Sequence, residues 1–247
     1  MSNSNKSKRS KSKTLIIVIA LLGFVSLWAA GTGQLTDFNN EPMWLNFFKQ
    51  LPIDNLIATA FVLVMAIISA FFYNHKEEKY AKDKSEKIKS PAIFRYIYRY
   101  LQISTIVVSI GAFLTNHKVL LEVHDNTTLM YMGISIATLA MALFISAKLT
   151  LGDHYSPCFD SYIPRDLVKD GLYKYIRHPI YTSNVLMLLG IFVACGSYWI
   201  LINTGVLTLY YVYSAVKEES ALKLRFPVYY KYVKQTNMFL PTPKIFR

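Results

Sequence analysis

Long apolar runs constrain the fold of this chain more than any other feature of its sequence. They occupy residues 14–30, 54–73, 96–115, 129–149 and 181–216. A transmembrane helix needs about 20 apolar residues, and the last run, at about 36, is long enough for two. We place the turn between those two helices at Gly196–Ser197, which makes a tight helical hairpin. The sequence therefore predicts an all-α, polytopic membrane protein with about six transmembrane helices.

The composition agrees with this class of protein and argues against others. Hydrophobic residues make up 53% of the 247 residues and charged residues 17%, which is too apolar for an ordinary soluble domain. A formal net charge of +12 can indicate nucleic-acid binding, but the positions of the charges favour a membrane and no nucleic-acid partner. The two cysteines, Cys158 and Cys195, fit no disulfide or metal-ligand pattern, and we predict no metal site.

The first apolar run has two interpretations. It follows the Ser-, Asn- and Lys-rich segment 1–13, which we predict to be a disordered basic tail, and it ends in small residues at 29–31. Secretory signal peptides share that order, but about 17 apolar residues exceed their usual core, so we favour a retained helix. Four N-terminal transmembrane helices then occupy 14–149, and a C-terminal region, 150–247, contains the hairpin at about 181–216.

The basic residues are distributed unevenly along the chain. If the N-terminus is cytoplasmic, 25 of the 27 Lys and Arg residues lie in cytoplasmic segments, and the opposite loops carry only Lys49 and Lys118. The cytoplasmic segments are then 1–13, 74–100, about 148–182 and about 215–247. By the positive-inside rule, this asymmetry predicts an integral membrane protein with both termini in the cytoplasm. Both ends of the hairpin share that face, where the predicted site lies.

An Arg-His-Pro triplet, Arg177-His178-Pro179, stands directly before the hairpin. Proline is favourable in a first helical turn, so we expect a helix to start at Pro179, with His178 at or near its N-cap. Helix N-termini attract anions, and the planar guanidinium of Arg177 suits a carboxylate or phosphate. The alternative is an arginine in the lipid headgroup layer, beside interfacial tyrosines.

Two carboxylates, Glu218 and Glu219, stand at the other end of the hairpin. Glu219 and Lys223 are four positions apart, so an exposed helix ion pair is one interpretation. The other is a pair of carboxylates that faces a cationic ligand across a pocket. An anion-binding helix start opposite two carboxylates suits a zwitterion with additional positive charge. S-adenosylmethionine is such a ligand, although this reasoning alone does not select it.

A series of short motifs over about residues 150–243 supports a narrower interpretation. Its matching positions are Leu151-Gly152, Tyr155-Ser156-Pro157, Leu167-Val168, Gly171, Tyr173, Arg177-His178-Pro179, Tyr181, Glu218-Glu219, Leu222, Phe226, Tyr229, Tyr232 and Phe239-Leu240-Pro241. In this order and spacing they resemble the isoprenylcysteine carboxyl methyltransferase-like family, integral membrane methyltransferases that include relatives of the phospholipid methyltransferases. The first four predicted helices are outside the resemblance.

The resemblance implies methyl transfer from S-adenosylmethionine to a lipophilic acceptor that enters from the bilayer. The acceptor could be an isoprenylcysteine carboxylate, a phospholipid amine or a thiol. The implied cofactor-binding residues, at the cytoplasmic face, are Leu167, Val168, Gly171, Tyr173, Arg177, His178, Tyr181, Glu218 and Glu219. Arg177 is also the candidate catalytic residue, because it could orient an anionic acceptor. Such a transfer needs positioning and a dry, charge-matched pocket more than a nucleophilic side chain.

Three positions depart from the family pattern. Ser183 stands where glycine is usual, Pro227 replaces the glycine after Phe226, and Arg165 occupies a position that is often histidine in the eukaryotic enzymes. We expect these departures to affect the acceptor side more than the cofactor side.

Two other functional classes stay open. One is a membrane NADPH-dependent reductase of the sterol type, which shares an Arg-His-x-x-Tyr element, but Ile180 stands here where those enzymes usually have asparagine. The other is a non-enzymatic membrane protein that kept the scaffold, against which the retained Arg-His-Pro and Glu-Glu motifs argue. We interpret Asp153-His154 and Cys158 as part of a polar turn.

Overall fold

A computed structural model describes residues 51–74, 91–115, 126–156 and 163–241. The helices in these ranges are α1 (Ile53–Asn74), α2 (Ala92–Leu114), α3 (Thr127–Leu151), α4 (Pro179–Cys195), α5 (Tyr198–Arg225) and α6 (Tyr229–Gln235). Two 3-10 turns, Gly152–His154 and Gly171–Lys174, lie between α3 and α4. An isolated parallel bridge pairs Ile176 with Asn237, and the described ranges contain no named strand. The all-α prediction is confirmed.

Four of these helices are long and apolar enough to cross a membrane, namely α1, α2, α3 and α5. Helix α4 is a shorter apolar helix of 17 residues. Together they match the predicted runs, except that α2 begins earlier than residue 96 and α5 continues to Arg225, past the predicted end at Val216. The predicted helix at 14–30 and the tail at 1–13 lie outside the described residues, so the total of six spans stays a prediction.

The helix ends follow local sequence signals. The side chain of Asn126 caps α3 by accepting hydrogen bonds from the backbone N–H groups of Thr128 and Leu129, at 2.9 and 3.2 Å. Helix α4 begins at Pro179 with His178 as its N-cap, as predicted. It ends at Gly196, whose φ of +62° is the left-handed conformation that glycine adopts without steric cost. The predicted hairpin turn at Gly196–Ser197 is therefore confirmed.

Helices α3 and α4 cross with their backbones almost in contact. A Cβ atom added to Gly133 would lie 2.3 Å from the backbone nitrogen of Ala194, and one added to Gly190 would lie 2.6 Å from that of Ala137. Each helix thus has two small residues four positions apart at the crossing, Gly133 and Ala137 in α3 and Gly190 and Ala194 in α4. Small residues at this spacing let helix backbones approach closely in a bilayer. This crossing fixes the start of α4 beside the end of α3.

Helix α3 runs parallel to α1 and antiparallel to α4, and α2 runs antiparallel to α5, so one end of the bundle gathers the polar segments. The ring of Phe72, near the end of α1, packs edge-on against Phe144 in the second half of α3. Tyr98, near the start of α2, contacts Tyr211 at the middle of α5, and Ser104, further along α2, contacts Asn203 nearer the start of α5. With 28 residues, α5 is about 42 Å long, whereas the hydrocarbon core of a bilayer is about 30 Å thick. Its charged last turns can therefore extend beyond the apolar core.

Candidate functional site

A cavity of about 900 Å³, including its open mouth, lies at this end of the bundle. The end of α3, the segment before α4, the first turn of α4, the end of α5 and α6 all contribute to its wall. Seven of the nine predicted cofactor-binding residues line it: Leu167, Val168, Tyr173, Arg177, His178, Tyr181 and Glu218.

The two remaining predicted residues are close to the cavity without lining it. Gly171 turns the backbone with a φ of +57°, and a Cβ atom there would lie 2.9 Å from the hydroxyl of Thr150. Glu219 is 4% exposed and packs beside Arg177 and His178. The cofactor role of all nine residues stays a prediction.

Arg177 and Glu219 form a buried ion pair across the hairpin. The guanidinium Nε donates to Glu219 Oε1 at 2.7 Å, and the two side chains are 8% and 5% exposed. Its Nη1 also donates to the backbone carbonyls of Val233 and Thr236. Glu219 is thus engaged with Arg177, and the exposed pair with Lys223 considered above is not formed. Such charge-assisted hydrogen bonds are strong, because each buried polar group has a partner and the surrounding dielectric constant is low.

His178 lies between the two carboxylates. Its Nδ1 is 3.7 Å from Glu218 Oε2, and its Nε2 is 3.4 Å from Glu219 Oε1. The Nε2 contact is electrostatic, because no described residue makes a well-formed hydrogen bond there. The imidazole is 8% exposed and stacks on the ring of Tyr181, with centroids 5.3 Å apart and an interplanar angle of 2°. This stacking fixes the plane of the imidazole at the cavity wall.

Glu218 is the carboxylate that faces the cavity. Its side chain is 20% exposed, and Oε1 accepts a hydrogen bond of 2.6 Å from the hydroxyl of Tyr181. Arg177 is paired with Glu219, and Glu218 adds a second carboxylate at the wall of the cavity itself. The wall is therefore suited to a cation.

The backbone immediately before α4 is occupied by the C-terminal segment. The N–H groups of Arg177 and His178 donate to the carbonyls of Asn237 and Met238, at 2.9 and 3.0 Å. The hydroxyl of Thr182 donates to the carbonyl of Phe239 at 2.8 Å. These donors are consequently not available to an anionic ligand. Of the anion-binding helix start that we inferred from the sequence, only the backbone N–H groups in the first turn of α4 remain for a ligand.

Three buried tyrosines complete the wall next to α6. Burial raises the pKa of Tyr232 to about 12 and raises the pKa values of Tyr173 and Tyr229 well above 10, the latter two with a smaller contribution from nearby carboxylates. The hydroxyl of Tyr232 donates to the backbone carbonyl of Tyr173. All three hydroxyls are therefore neutral at physiological pH, and they add polar contacts and aromatic faces without charge.

Sequence reasoning missed several residues of this wall. They are His154, Tyr155, Ser156, Asp166, Leu222, Tyr229 and Tyr232. Five of them belong to the motifs quoted above, so the sequence contained a signal for them. No sequence motif marked His154 or Asp166. His154 ends the 3-10 turn that was expected to be a plain polar turn. Among the described residues, no group of His, Cys, Asp and Glu could hold a metal ion.

The departures from the family pattern lie away from the cavity wall. Ser183 is 2% exposed, and its hydroxyl donates to the carbonyl of Pro179 at 2.7 Å, within α4. Pro227 is exposed between α5 and α6, and Arg165 is exposed before α4. The substitution of glycine by Ser183 is thus accommodated by a hydrogen bond to its own helix.

These features define a helical membrane protein with a charged pocket at one end of its bundle. Residues 127–227 match the family model described as phospholipid methyltransferase. The match runs from the first residue of α3 to the turn before α6, and it includes Arg177, His178, Glu218 and Glu219. It confirms the resemblance of this part of the chain to the integral membrane methyltransferases. No curated protein matches the chain significantly.

Proposed function

We propose that this protein transfers a methyl group from S-adenosylmethionine to a lipophilic acceptor at the cytoplasmic face of its membrane. The match to a family of membrane methyltransferases supports the general activity on lipid-like substrates. The observation that carries the choice of cofactor is the negative wall at Glu218, beside stacked aromatic rings and the buried pair of Arg177 and Glu219.

The residues of the cavity fit this cofactor by their chemistry. When bound, S-adenosylmethionine would supply a methyl group activated by a sulfonium, and it also carries an ammonium. Glu218 would attract this positive charge, and the ring of Tyr173 would add cation–π attraction. Apolar residues such as Leu167 and Val168 would exclude water, which strengthens these interactions.

The remaining task of the chain is to position the acceptor. Methyl transfer between two bound reactants depends on distance and alignment more than on a protein nucleophile. Arg177 lines the cavity, and its Nη2 donors make no hydrogen bond to a described residue. It could therefore orient an anionic acceptor through Nη2, while Nε and Nη1 keep their hydrogen bonds to Glu219, Val233 and Thr236.

Ligand binding to the purified protein tests the choice of cofactor. S-adenosylhomocysteine at 100 times its Kd should stabilise the folded state by about 2.7 kcal/mol, whereas NADPH should not stabilise it. Glu218→Gln should weaken the binding of S-adenosylmethionine about tenfold, because a neutral amide attracts a cation less, and should affect S-adenosylhomocysteine less. Lys223→Gln, one turn further along the same helix, is the matched control. Stabilisation by NADPH instead would favour a reductase, and stabilisation by neither would favour a non-enzymatic protein.

A methyl-label experiment tests the class of acceptor. Membranes that contain the protein should incorporate label from S-adenosylmethionine into an organic-soluble product. Separation of labelled phospholipid, labelled protein and volatile thioether would distinguish a phospholipid amine, an isoprenylcysteine carboxylate and a thiol. Absence of label in all three fractions, with intact cofactor binding, would contradict a lipophilic acceptor.

A further inference from the structure

A buried lysine lies directly behind the wall of the cavity. Lys148 stands three residues before Leu151, the last residue of α3, and it is 8% exposed. It is the only lysine among the described residues that is buried. Lysine side chains are rarely buried unless the ammonium has groups around it that compensate for the loss of water. The surroundings of this ammonium therefore indicate what the residue does.

The ammonium of Lys148 lies over two aromatic rings. Its Nζ is 4.1 Å from the ring centroid of Tyr155 and 5.7 Å from that of Phe72. Both distances are within the roughly 6 Å at which a ring face attracts a cation, and the attraction is larger away from water. Lys148 thus connects the end of α1 with the segment that follows α3.

Tyr155 lines the cavity, whereas Lys148 does not. The ammonium therefore approaches this ring from outside the cavity. Tyr155 is 6% exposed and follows the short 3-10 turn Gly152–His154, where its backbone N–H donates to the carbonyl of Gly152 over a long 3.4 Å. The cation–π contact with Lys148 adds a restraint on the ring where a single turn of backbone holds it weakly.

The charge of Lys148 also determines what Tyr155 can contact in the cavity. Like charges repel, so a sulfonium or an ammonium is disfavoured beside a ring that already has a cation over it. The reverse holds at Glu218, a carboxylate at the cavity wall. The neighbours of Tyr155 in the wall include the apolar Leu151. The ring of Tyr155 therefore suits an uncharged, flat part of a ligand.

We infer that Lys148 is a positioning residue of the candidate site, which holds the ring of Tyr155 against the uncharged nucleoside of the methyl donor. This inference rests on the proposed function, because it takes S-adenosylmethionine as the ligand. Its adenine is an uncharged aromatic group that can stack on a tyrosine ring, while its cationic groups lie toward Glu218. Lys148 acts through Tyr155 and not by contact with the ligand.

Binding of S-adenosylhomocysteine to the purified protein tests this inference. Lys148→Met keeps an unbranched side chain and removes the charge, so the protein should fold, but its Kd should rise about fivefold. Lys148→Arg, which restores a cation, should return the Kd to within about twofold of the parental value. Lys217→Met is the matched control and should keep the parental Kd, because Lys217 lies over the ring of Tyr213 at 4.9 Å, and neither residue lines the cavity.

A comparison of two ligands separates this role from that of Glu218. Lys148→Met should weaken S-adenosylmethionine no more than S-adenosylhomocysteine, because the affected contact is with the uncharged nucleoside. Glu218→Gln should weaken the cationic S-adenosylmethionine more. A larger loss for S-adenosylmethionine in Lys148→Met would overturn the assignment of Tyr155 to the nucleoside.

A double-mutant cycle tests whether Lys148 acts through the ring. In a Tyr155→Leu background, Lys148→Met should have no further effect on the Kd, whereas Tyr155→Phe keeps the ring and should keep the effect. If Lys148→Met fails to fold in thermal unfolding, Lys148→Gln serves the same purpose. A parental Kd in the folded variant, or an undiminished effect in Tyr155→Leu, would overturn the inference and leave the proposed function intact.

Hydrogen exchange of the ligand-free protein gives a readout that needs no cofactor. The backbone of residues 152–156 should exchange faster in Lys148→Met and at the parental rate in Lys148→Arg and Lys217→Met. Unchanged exchange in Lys148→Met would contradict the restraint on Tyr155. Failure of the parent protein to bind S-adenosylhomocysteine would contradict the proposed function itself, and with it the assignment to the nucleoside.

Discussion

At the residue scale, the buried pair of Arg177 and Glu219 joins three parts of the chain. It links the residue before α4 to the end of α5, and through Nη1 to the carbonyls at Val233 and Thr236. Removing one member of a buried pair leaves the other charged and unpaired, which is more costly than the net value of the pair.

Arg177→Ala should therefore destabilise the fold by about 3–5 kcal/mol, whatever its effect on turnover. Arg177→Lys should recover part of this loss, because it restores the charge without the planar fork. Thermal unfolding in detergent measures both effects, with the exposed Arg165→Ala as the matched control. A stability of Arg177→Ala equal to that of Arg165→Ala would contradict the pairing described here.

The two adjacent carboxylates should separate stability from binding. Glu219→Gln removes the partner of Arg177 and should lower stability by several kcal/mol. Glu218→Gln leaves that pair intact and should leave stability nearly unchanged, while it weakens binding of the cationic cofactor. Thermal unfolding without ligand and titration with S-adenosylmethionine distinguish the two effects. An equal loss of stability in both variants would show that the carboxylates act as one unit.

The buried tyrosines predict a decline of stability at high pH. The unfolded hydroxyl of Tyr232 ionises near pH 10, whereas burial keeps the folded one protonated up to about pH 12. Its contribution is thus complete below pH 10 and is lost as the pH rises through 12, because the unfolded state releases the proton first.

Denaturation midpoints measured from pH 9 to pH 12 should fall with a slope that is smaller in Tyr232→Phe than in the parent. The exposed Tyr230→Phe is the control and should keep the parental slope. The slope should not vanish in Tyr232→Phe, because the pKa values of Tyr173 and Tyr229 are also raised by burial. Equal slopes in the two variants would show that Tyr232 titrates as an exposed phenol.

At the scale of elements, the crossing of α3 and α4 decides where the site residues of α4 lie. Gly190→Ala should destabilise the protein by about 1–3 kcal/mol, because its new methyl group would meet the backbone of Ala137 and Gly133 and push the helices apart. Gly205→Ala is the control, since a Cβ atom there has open space and should instead stabilise α5 by roughly 0.5–1 kcal/mol. Thermal unfolding of both variants measures the contrast. A neutral Gly190→Ala would contradict the close crossing.

Much of the arrangement of the helices could be predicted from the sequence. Apolar runs identified α1, α2, α3 and the hairpin, because a bilayer imposes a length on each crossing. Pro179 and Gly196 marked the two ends of α4, because each has one favourable place in a helix. Hydropathy ended the hairpin near Val216, whereas α5 continues to Arg225, because its last turns are stabilised by polar contacts such as Arg177–Glu219 that hydropathy cannot detect.

The candidate site was predictable in outline and not in its internal pairing. The motifs identified Arg177, His178, Glu218 and Glu219, but their spacing did not show which carboxylate faces the cavity. That division depends on the rotation of α5, which buries Glu219 and leaves Glu218 at the wall. The contribution of Tyr229 and Tyr232 required the return of α6 to the bundle, a tertiary contact that a local pattern does not specify.

At the scale of the whole molecule, the charge distribution predicts the orientation. Both termini should be cytoplasmic, because 25 of the 27 basic residues then lie on that side. Protease treatment of sealed, right-side-out cells or vesicles that carry terminal tags measures this directly. Both tags should be protected until the membrane is opened, with a tag of known external position as the control. Cleavage of one tag alone in sealed vesicles would require an odd number of spans.

The contacts of Arg177 with Val233 and Thr236 have a consequence for biogenesis. Thr236 leaves the ribosome 59 positions after Arg177, which corresponds to roughly 3–12 s at about 5–20 residues per second. The intervening residues include the whole hairpin, so α4 and α5 can enter the bilayer while the guanidinium still lacks these two carbonyls. These contacts of Arg177 can thus form only after the whole hairpin has been synthesised. A chain stalled before Thr236 should be inserted in the membrane and yet unable to bind its ligand.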